Sequence, residues 1–386
     1  MGTYNGYFDN AATTFPKPDC VYEYANSVYR ECGGNVGRGS NPIAKRAGSI
    51  ANQTKDLLRE LFHCEGKQIV FTPSATDALN RILLGLGLSE GDIVYHTPFE
   101  HNAVTRPLYH LKTSTGIHIE TMSFSTQTFL PNLDEIEKQF ASDRPKVVVM
   151  THISNVCGVV VPFADIAKLA KRYDAIVVLD MSQSAGLIDT DLSNAIVDYA
   201  VFAGHKTLFG PFGIGGFVCA KDSRLNPVVF GGNGVNSIEQ EMPKEISKMI
   251  EIGSQNIYAI AGLHASVGWI LSKGIEQIHD QESRNRDALV SLLRQYSNIK
   301  LIGYGNGANQ AGVVSSQFDG YSPDEIEKIL GNFGISIRAG LHCAPTAHRF
   351  LGTLPKGTVR FSVSALTTED DMQKLKEALD AVEQDY

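Results

Sequence analysis

The sequence predicts an α/β protein whose main sheet is mostly parallel and covered by helices on both faces. Short apolar segments alternate with helical segments over roughly 150 residues, the order typical of successive βα units. Two of the apolar runs, residues 175–179 and 199–203, end abruptly at turn residues, as buried parallel strands do. After Ile257 the pattern changes to two long helices followed by strand-like pieces, which indicates a second, α+β domain.

Each predicted element follows from the spacing of its apolar residues and from the breakers around it. Pro16 and Pro18 mark an irregular start, and a glycine-rich loop, residues 33–39, separates the first two helices. The predicted helices span residues 21–30, 44–62, 74–86, 101–112, 133–140, 163–173, 260–271, 276–296, 323–333 and 368–382. The predicted strands span residues 69–71, 93–95, 118–122, 146–151, 175–179, 199–203, 216–220, 300–302, 312–318, 335–337 and 358–362.

Composition excludes several classes of protein. The chain has 386 residues, of which 43% are hydrophobic and 20% charged, as in an ordinary soluble globular protein. Its net charge of −8 argues against binding nucleic acid, which usually requires a basic surface. No apolar run approaches the ~20 residues of a membrane span, and no secretory signal is visible, so we expect a cytoplasmic protein. The 6 cysteines are scattered without a C-x-x-C pair, which predicts free thiols in a reducing compartment.

An acid and an amine follow the two central apolar runs. Asp180 comes directly after the first run, and Lys206 follows the second through Gly204 and His205. Ligands of open α/β sheets bind at this carboxyl edge of the strands. The two groups could form a plain ion pair. They could equally anchor pyridoxal phosphate, with the lysine as Schiff base and the aspartate keeping the pyridine nitrogen protonated.

Other polar residues fall near the same edge, each with a simpler reading. Ser74 and Thr76 open a helix straight after a strand, as a helix cap or as an anion site. Gln183 lies three residues beyond Asp180 and could address the same ligand. His101 is either a packing residue or a flat ring able to stack on a cofactor. Asn155 is either a turn residue or a further contact at this edge.

Cys343 is the one cysteine that we regard as a candidate nucleophile. It lies between Gly340 and Pro345 in a predicted loop rich in histidine and arginine, and such surroundings favour the thiolate. A buried structural cysteine is the alternative. Arg360 is either a surface charge on a strand or a fork for a carboxylate. The histidine spacing does not predict a zinc site, and neither a hydrolase elbow nor a dinucleotide fingerprint is present.

Together these stretches resemble the class V aminotransferase-like group of fold type I pyridoxal-phosphate enzymes. Within that group the chain is most similar to the cysteine desulfurases of the selenocysteine-lyase-like branch. The resemblance covers nearly the whole chain and is carried by the segments YFDNAATTFPKP, GNVGRGSN, TPSATDALN, FEHNAV, HISNVCGVVVP, LDMSQSAG, FAGHKTLFGPFGIGG, IGSQN, RAGLHCAP and VRFSVSALTTEDD.

The resemblance implies a role for each candidate residue. Lys206 matches the Schiff-base lysine, Asp180 the partner of the pyridine nitrogen, and His101 the histidine stacked on the ring. The remaining cofactor contacts that it implies are Asn155 and Gln183 at the ring hydroxyl, Ala75, Thr76 and His205 at the phosphate, and Ser254, which family dimers supply from the other subunit. The substrate contacts that it implies are Asn35 and Arg360 on the carboxylate and Cys343 as the acceptor of sulfur.

The resemblance also implies an architecture and an activity. The fold would be a seven-stranded large domain, residues 15–257, and a small domain built from residues 1–14 and 258–386. The activity would be conversion of L-cysteine to L-alanine, with sulfur held as a persulfide and passed to an acceptor protein for iron–sulfur cluster assembly or another pathway. A homodimer with shared active sites is expected.

Two departures and several alternatives remain. Ala203 stands where the family usually has a serine or threonine that donates to the phosphate, and Met181 and Ser182 differ from the usual residues between the aspartate and the glutamine. The alternatives on the same cofactor are a selenocysteine lyase, a cysteine or cystine β-lyase and a class V aminotransferase. A non-catalytic binding protein that keeps the fold is a further alternative.

Overall fold

The computed structural model describes residues 6–36, 39–232, 234, 238–305 and 307–384. Its helices are α1 (Asp19–Cys32), α2 (Pro42–Leu61), α3 (Ala75–Gly85), α4 (Asn102–Ser114), α5 (Leu133–Ser142), α6 (Phe163–Lys171), α7 (Ile246–Ile250), α8 (Ile257–Lys273), α9 (Ile275–Leu293), α10 (Pro323–Asn332), α11 (Pro345–Phe350) and α12 (Glu369–Gln384). Its strands are β1 (Gln68–Thr72), β2 (Ile93–His96), β3 (His118–Thr121), β4 (Val147–Thr151), β5 (Ile176–Asp180), β6 (Tyr199–Ala203), β7 (Gly215–Cys219), β8 (Ile299–Ile302), β9 (Val313–Phe318), β10 (Arg338–Gly340) and β11 (Thr358–Ser362).

The described strands form a seven-stranded and a four-stranded sheet. The large sheet has the order β1-β7-β6-β5-β4-β2-β3, and β3, β2, β4, β5 and β6 run parallel to one another. Strand β7 runs antiparallel to both β1 and β6. The prediction of an α/β fold with a mostly parallel sheet of seven strands is therefore confirmed.

The register of the large sheet places the carboxyl ends of three strands next to one another. Thr151 at the end of β4 pairs with Asp180 at the end of β5, and Asp180 pairs with Val201 in β6. Strands β4 and β6 are buried along their whole length because helices cover both faces of the sheet. The continuous apolar runs seen in the sequence reflect this double burial.

Helices pack on the large sheet in two layers. Helices α2 and α8 contribute Leu58, Leu61 and Leu263 to a core with Phe202 on one face. Helices α3 and α4 supply Leu79 and other residues to the core on the opposite face. Fully burying one such leucine stabilises the fold by about 1.5–3 kcal/mol. Stability therefore comes from these two cores, and the loops at the strand ends can carry polar groups.

The four-stranded sheet is antiparallel, with the order β10-β11-β9-β8, and packs on α9, α10 and α12. The predicted strand at residues 335–337 is wrong, because Ser336 makes only an isolated bridge to Tyr7, and the edge strand is β10 instead. A second bridge joins Asp9 to Ser362. Both bridges attach the N-terminal segment to the small sheet, although the exact domain boundaries remain a prediction.

Two short helices, α7 and α11, have no counterpart in the sequence prediction. Each has only one or two turns, too few for a helical period to be recognised. Among the described residues, no helix combines the length and the apolar character that a membrane span needs.

Candidate active site

The carboxyl edge of the large sheet holds a cavity between the two central strands. Strand β5 ends in Asp180, and β6 leads through Gly204 into the turn that carries Lys206. The cavity encloses about 490 Å³ including its mouth. Its walls are formed by Ser74, Ala75, Thr76, Leu79, His101, Ala103, Thr151, Ile153, Asn155, Asp180, Ser182, Gln183, Ala203, His205 and Lys206.

Lys206 is prepared for chemistry by its burial. Burial lowers the pKa of Lys206 to about 8, from an ordinary value of 10.5. The Asp180 carboxylate opposes that shift, whereas the positive charges of Arg360 and Arg338 add to it. A larger fraction of the amine is therefore neutral, and able to attack a carbonyl carbon, than in an exposed lysine.

Asp180 is buried and held in one orientation. Its Oδ1 accepts hydrogen bonds from the backbone N–H of Ser182 at 2.9 Å and from the Ser182 hydroxyl at 2.5 Å. Ser182, one of the departures from the family pattern, thus fixes the carboxylate that faces the cavity. Asp180 does not act as a helix cap, because a turn rather than a helix follows β5.

His101 caps helix α4 and faces the cavity as a neutral ring. Its Nδ1 accepts a hydrogen bond from the backbone N–H of Ala103 at 3.0 Å, which leaves the ring proton on Nε2. Burial and the positive charge of Lys206 lower the pKa of His101 to about 3. A neutral imidazole can stack on a cofactor ring without adding positive charge to the site.

The two amide side chains of the cavity are partly engaged. Gln183 Nε2 donates to the carbonyl oxygen of Ala11 at 2.8 Å, and Asn155 Nδ2 donates to that of His342 at 2.7 Å. An amide NH2 group has two hydrogens, so each side chain keeps one donor for a ligand. The second bond also links the cavity to the residue just before Cys343.

One end of the cavity is formed by the N-terminus of helix α3. Gly215 of β7 lies against it so closely that a Cβ there would stand 2.8 Å from the backbone nitrogen of Ala75. Ser74 caps the helix through its hydroxyl, which accepts from the backbone N–H of Asp77 at 3.1 Å. Nδ1 of His205 is buried without a hydrogen-bond partner in the described parts of the chain. A helix N-terminus beside an unused imidazole nitrogen suits a phosphate.

Cys343 lies in the turn between β10 and α11, outside the cavity wall. Its φ is +57°, and that of His342 is +48°, a left-handed conformation that costs about 1–3 kcal/mol per residue. The backbone N–H of Asn102, next to His101, donates to the carbonyl oxygen of Cys343 at 2.7 Å. Arg338 Nη2 donates to the sulfur at 3.4 Å, a contact able to stabilise negative charge there.

Arg360 is buried in β11 and does not line the cavity. Its Nη2 forms an ion pair with Asp9 Oδ1 at 2.6 Å, and its Nη1 donates to the carbonyl oxygen of Asn155 at 3.0 Å. Its Nε is buried without a partner in the part of the chain that the structure describes. The strand register places Arg338 directly opposite Arg360, so two guanidinium groups flank the approach to Cys343.

Asn35 and Ser254 do not contribute to the cavity wall of this chain. They contact each other, with Asn35 Nδ2 at 3.4 Å from the Ser254 hydroxyl. Ser254 is exposed. The structure therefore brings together the predicted cofactor residues at the large sheet, while Asn35, Ser254, Arg360 and Cys343 are not part of the cavity wall.

Sequence reasoning missed three residues around the site. Arg338 was noted only as a nearby charge, although it contacts the sulfur of Cys343. Glu100 is fully buried, and its Oε1 accepts from the Thr97 hydroxyl at 2.6 Å and the Thr151 N–H at 2.7 Å. Burial raises the pKa of Glu100 to about 8. A charged residue directly before His101 was the available signal for Glu100. Ser182 was noted only as a departure from the family pattern, although its hydroxyl fixes Asp180.

Comparison with known proteins agrees with this geometry. Residues 6–375 match the family model of the class V aminotransferases, described as "Aminotransferase class-V". The chain belongs to the class V aminotransferase family. Its cofactor is accordingly pyridoxal phosphate.

Relatives of this class V protein cover almost its whole length. A cysteine desulfurase of Synechococcus elongatus is 32% identical over 97% of this chain, which spans only 60% of that protein. A probable cysteine desulfurase of Aeropyrum pernix is 30% identical, with 97% of this chain and 94% of that protein covered. The apo structure of cysteine desulfurase from Thermococcus onnurineus NA1 has a TM-score of 0.88 at 28% identity, covering 99% and 95% of the two chains.

The cavity of this class V protein fits pyridoxal phosphate. It offers the desolvated amine of Lys206, a buried carboxylate, a neutral imidazole and, at one end, a helix N-terminus with the unused Nδ1 of His205. Ala203 adds no hydroxyl there, so the phosphate would lack one donor, about 0.5–1.5 kcal/mol of binding or somewhat more for a charged acceptor. The departure at position 203 therefore reduces the donor set without removing the site.

Proposed function

We propose that this protein is a cysteine desulfurase that converts L-cysteine to L-alanine and collects the sulfur as a persulfide on Cys343. The observation that carries the proposal is the placement of a thiol, hydrogen-bonded by Arg338, beside the cofactor cavity. A negative charge on the sulfur of Cys343 raises the pKa of Lys206, which places the thiol within electrostatic reach of the amine. A transaminase needs no such thiol.

The cavity residues would hold and orient the cofactor. Bound pyridoxal phosphate supplies an electron sink conjugated with the substrate Cα. Lys206 would attach it through Nζ, and Asp180, whose orientation is set by Ser182, would keep the ring nitrogen protonated. His101, a neutral imidazole, would be the residue that stacks on the ring. The other proposed contacts are Asn155 and Gln183 at the ring hydroxyl, Ala75, Thr76 and His205 at the phosphate, and Ser254 from a second subunit.

Lys206 is also the base that moves the proton at the substrate Cα. Its pKa of about 8 keeps an appreciable fraction of the released amine neutral near pH 7. Lys206 lines the cavity together with Asp180, whose carboxylate partly offsets the desolvation of the ammonium form. The same group can therefore accept a proton and return it.

Cys343 accepts the sulfur atom. Its thiolate attacks the substrate sulfur, an S–S bond forms, and the substrate Cβ–S bond breaks with its electron pair left on the carbon side. Cβ then takes up a proton, and the product leaves as alanine. Arg338 stabilises the charge on the attacking sulfur, and the turn that carries Cys343 is tied to the His101 side of the cavity through Asn102.

Arg360 and Asn35 would bind the substrate carboxylate. The two Nη groups of Arg360 are engaged by Asp9 and by the carbonyl of Asn155, so a carboxylate must compete with them or approach the unpartnered Nε. Arg338, opposite Arg360 in the sheet, adds positive charge to the same approach.

The proposal also includes the domain bounds, the oligomeric state and the sulfur acceptor. We assign residues 15–257 to the large domain and residues 1–14 with 258–386 to the small domain, and we propose a homodimer in which Ser254 reaches the neighbouring site. The persulfide would pass to an acceptor protein, as iron–sulfur cluster assembly requires, in the reducing cytoplasm that six free cysteines suit. Binding to nucleic acid or to membranes is not part of this proposal.

The Cys343→Ser variant tests the nucleophile. We expect it to keep the colour of the bound cofactor and to lose persulfide formation, measured as a 32-dalton mass increase on the cysteine peptide after one turnover with L-cysteine, about the mass of one sulfur atom. Cys20→Ser, at a half-buried cysteine of helix α1, is the matched control and should desulfurate normally. Normal alanine formation by Cys343→Ser would contradict the proposal.

Product analysis separates the other reactions of this cofactor. Alanine from L-cysteine indicates desulfuration, whereas pyruvate with ammonia indicates β-elimination. The same assay with L-selenocysteine and cystine establishes substrate preference. Absence of turnover with all three amino acids would favour a non-catalytic role.

A further inference from the structure

Residues of the N-terminal segment form hydrogen bonds with the backbone of the turn that carries Lys206. The Thr13 hydroxyl donates to the carbonyl oxygen of His205 at 2.9 Å, and the Thr14 N–H donates to the same oxygen at 3.1 Å. The Thr14 hydroxyl donates to the carbonyl oxygen of Lys206 at 2.8 Å. Lys17 Nζ donates to the His205 carbonyl oxygen at 2.8 Å. We call Thr13, Thr14 and Lys17 the N-terminal clamp.

The clamp is fixed at its other end to the small sheet. The Ala11 N–H donates to the Ser362 hydroxyl at 2.8 Å, and Asn10 Nδ2 donates to the Ser362 carbonyl oxygen at 2.8 Å. Asn10 Oδ1 accepts from the Phe15 N–H at 3.3 Å, which folds the segment back on itself. Ala11 also accepts the hydrogen bond from Gln183. A segment anchored to β11 can therefore hold the Lys206 turn in a set position.

Lys17 is an unusual choice for a purely structural contact. Its ammonium is half-buried, and its two hydrogen-bond partners are the carbonyl oxygens of Thr14, at 2.6 Å, and His205. Burial lowers the pKa of Lys17 to about 7. Holding a cation between carbonyl oxygens costs desolvation, and such costs are typically retained where they position reacting groups.

The clamp acts on Lys206 through its backbone. The charges that influence the Lys206 amine belong to Asp180, Arg360, Arg338 and Cys343, none of them a clamp residue. The Lys206 carbonyl also accepts from the Phe209 N–H at 2.8 Å, so Thr14 supplies the second of two donors to that oxygen. Loss of the clamp would free one side of the turn without removing any charge next to the amine.

We propose that the N-terminal clamp is a positioning element that keeps Lys206 in the desolvated place from which it attaches the cofactor. The proposal rests on the assignment of Lys206 as the cofactor lysine. A loosened clamp lets water reach the amine, which returns it toward ordinary lysine behaviour and weakens retention of the cofactor.

The test compares Thr14→Val and Lys17→Met with variants that lose similar bonds elsewhere. Thr113→Val removes a hydroxyl that donates to backbone carbonyls at the exposed end of α4. Lys67→Met removes an amine that donates to the carbonyls of Asn194, at 2.8 Å, and Val197, at 3.3 Å, and none of these residues lines the cavity. Thr14→Ser keeps the hydroxyl and serves as the conservative rescue.

Two readouts report on Lys206 in addition to turnover. The first is the rate at which each holoprotein releases pyridoxal phosphate, expected to rise about tenfold in Thr14→Val and Lys17→Met, the effect of one lost hydrogen bond. The second is the pH midpoint for recombination of the cofactor-free protein with pyridoxal phosphate, expected to move up from about 8 in the same variants. Thr14→Ser should match the unmodified protein in both.

The outcomes are distinguishable. If Thr14→Val and Lys17→Met equal their controls in both readouts, the clamp proposal is overturned. It is also overturned if these substitutions lower only the thermal stability of the cofactor-free protein. Should borohydride reduction of the unmodified protein label a residue other than Lys206, the proposed function itself fails, and the clamp fails with it.

Discussion

The two sides of the site are built in different ways. On the large-sheet side, Asp180 ends strand β5 and Lys206 follows strand β6, and the ends of these two strands are adjacent by register. On the small-sheet side, Cys343 and Arg360 are held by partners distant in sequence. Arg360 pairs with Asp9 across 351 positions, and His342 is held by Asn155 across 187.

This difference agrees with the different roles that we propose for the two sides, cofactor binding and sulfur acceptance. The cofactor side needs a carboxylate and an amine at fixed separation, which a rigid and doubly covered sheet supplies. On the other side, the proposed sulfur acceptor Cys343 lies on a turn in which it and His342 both have positive φ. We propose that this short turn presents the sulfur atom first to the substrate and then to an acceptor.

Loss of the amine on the cofactor side should have the largest effect. Lys206→Ala removes both the attachment point and the base, so we expect alanine formation from L-cysteine to fall by about 10³-fold or more. Lys221→Ala, at an exposed lysine beyond β7, is the control and should retain full activity. Activity of Lys206→Ala within tenfold of the control would show that the cofactor side does not work as described.

Removal of the guanidinium next to the sulfur tests the other side. Arg338→Met should slow alkylation of Cys343 by iodoacetamide about ten- to a hundredfold, because a charge-assisted hydrogen bond to sulfur is lost. The peptide that carries Cys343 is quantified by mass spectrometry in the cofactor-free protein. Arg349→Met, at an exposed arginine of α11, should leave the rate unchanged. Equal rates in both variants would show that Arg338 does not activate the thiol.

The pH dependence of cofactor binding sharpens the role of Asp180. A neutral amine is required for attachment, so recombination of the cofactor-free protein with pyridoxal phosphate should rise with pH and level off above about 8. Asp180 raises the pKa of Lys206, so Asp180→Asn should move the midpoint to lower pH. A midpoint that stays near the ordinary 10.5 in the unmodified protein would show that Lys206 is not desolvated.

The smallest expected effect is on stability at acid pH. Burial lowers the pKa of His348 to about 4, whereas the unfolded chain has the ordinary 6.5. The unfolded state therefore binds more protons between these values, and the free energy of unfolding falls as the pH drops below 6.5, by up to about 1.4 kcal/mol per pH unit.

Urea unfolding at a series of pH values measures this slope. His348→Gln should reduce the slope between pH 4 and 6.5, since glutamine cannot take up the proton. His118→Gln, at an exposed histidine of β3, should leave it unchanged. Equal slopes in the two variants would mean that His348 is not kept neutral by the fold.

The sequence predicted the strands of the large-sheet side more completely than those of the small-sheet side. The apolar runs before Asp180 and Lys206 predicted adjacent parallel strands, because a doubly buried strand leaves a continuous apolar signal. The antiparallel course of β7 left no such signal. The edge strand β10 was misplaced at residues 335–337, where Ser336 makes only a single bridge.

Long-range contacts were the main limit of that reasoning. The pairing of Arg360 with Asp9 and the bond from Asn155 to His342 depend on tertiary placement. The bonds from Ser182 to Asp180 and from Arg338 to Cys343 are local, but they depend on side-chain orientation. A local pattern of apolar and turn residues carries none of that information. The hydrogen bond from the Thr14 hydroxyl to the Lys206 carbonyl oxygen, which joins residues 192 positions apart, could not be predicted for the same reason.

Borohydride reduction of the holoprotein, followed by peptide mapping, tests the central claim most directly. Reduction fixes the bond between an amine and the cofactor aldehyde, so the labelled residue can be identified by mass spectrometry. We expect a single pyridoxyl adduct, on Lys206. An adduct on a different side chain, or none at all in protein that retains the cofactor, would contradict the assignment.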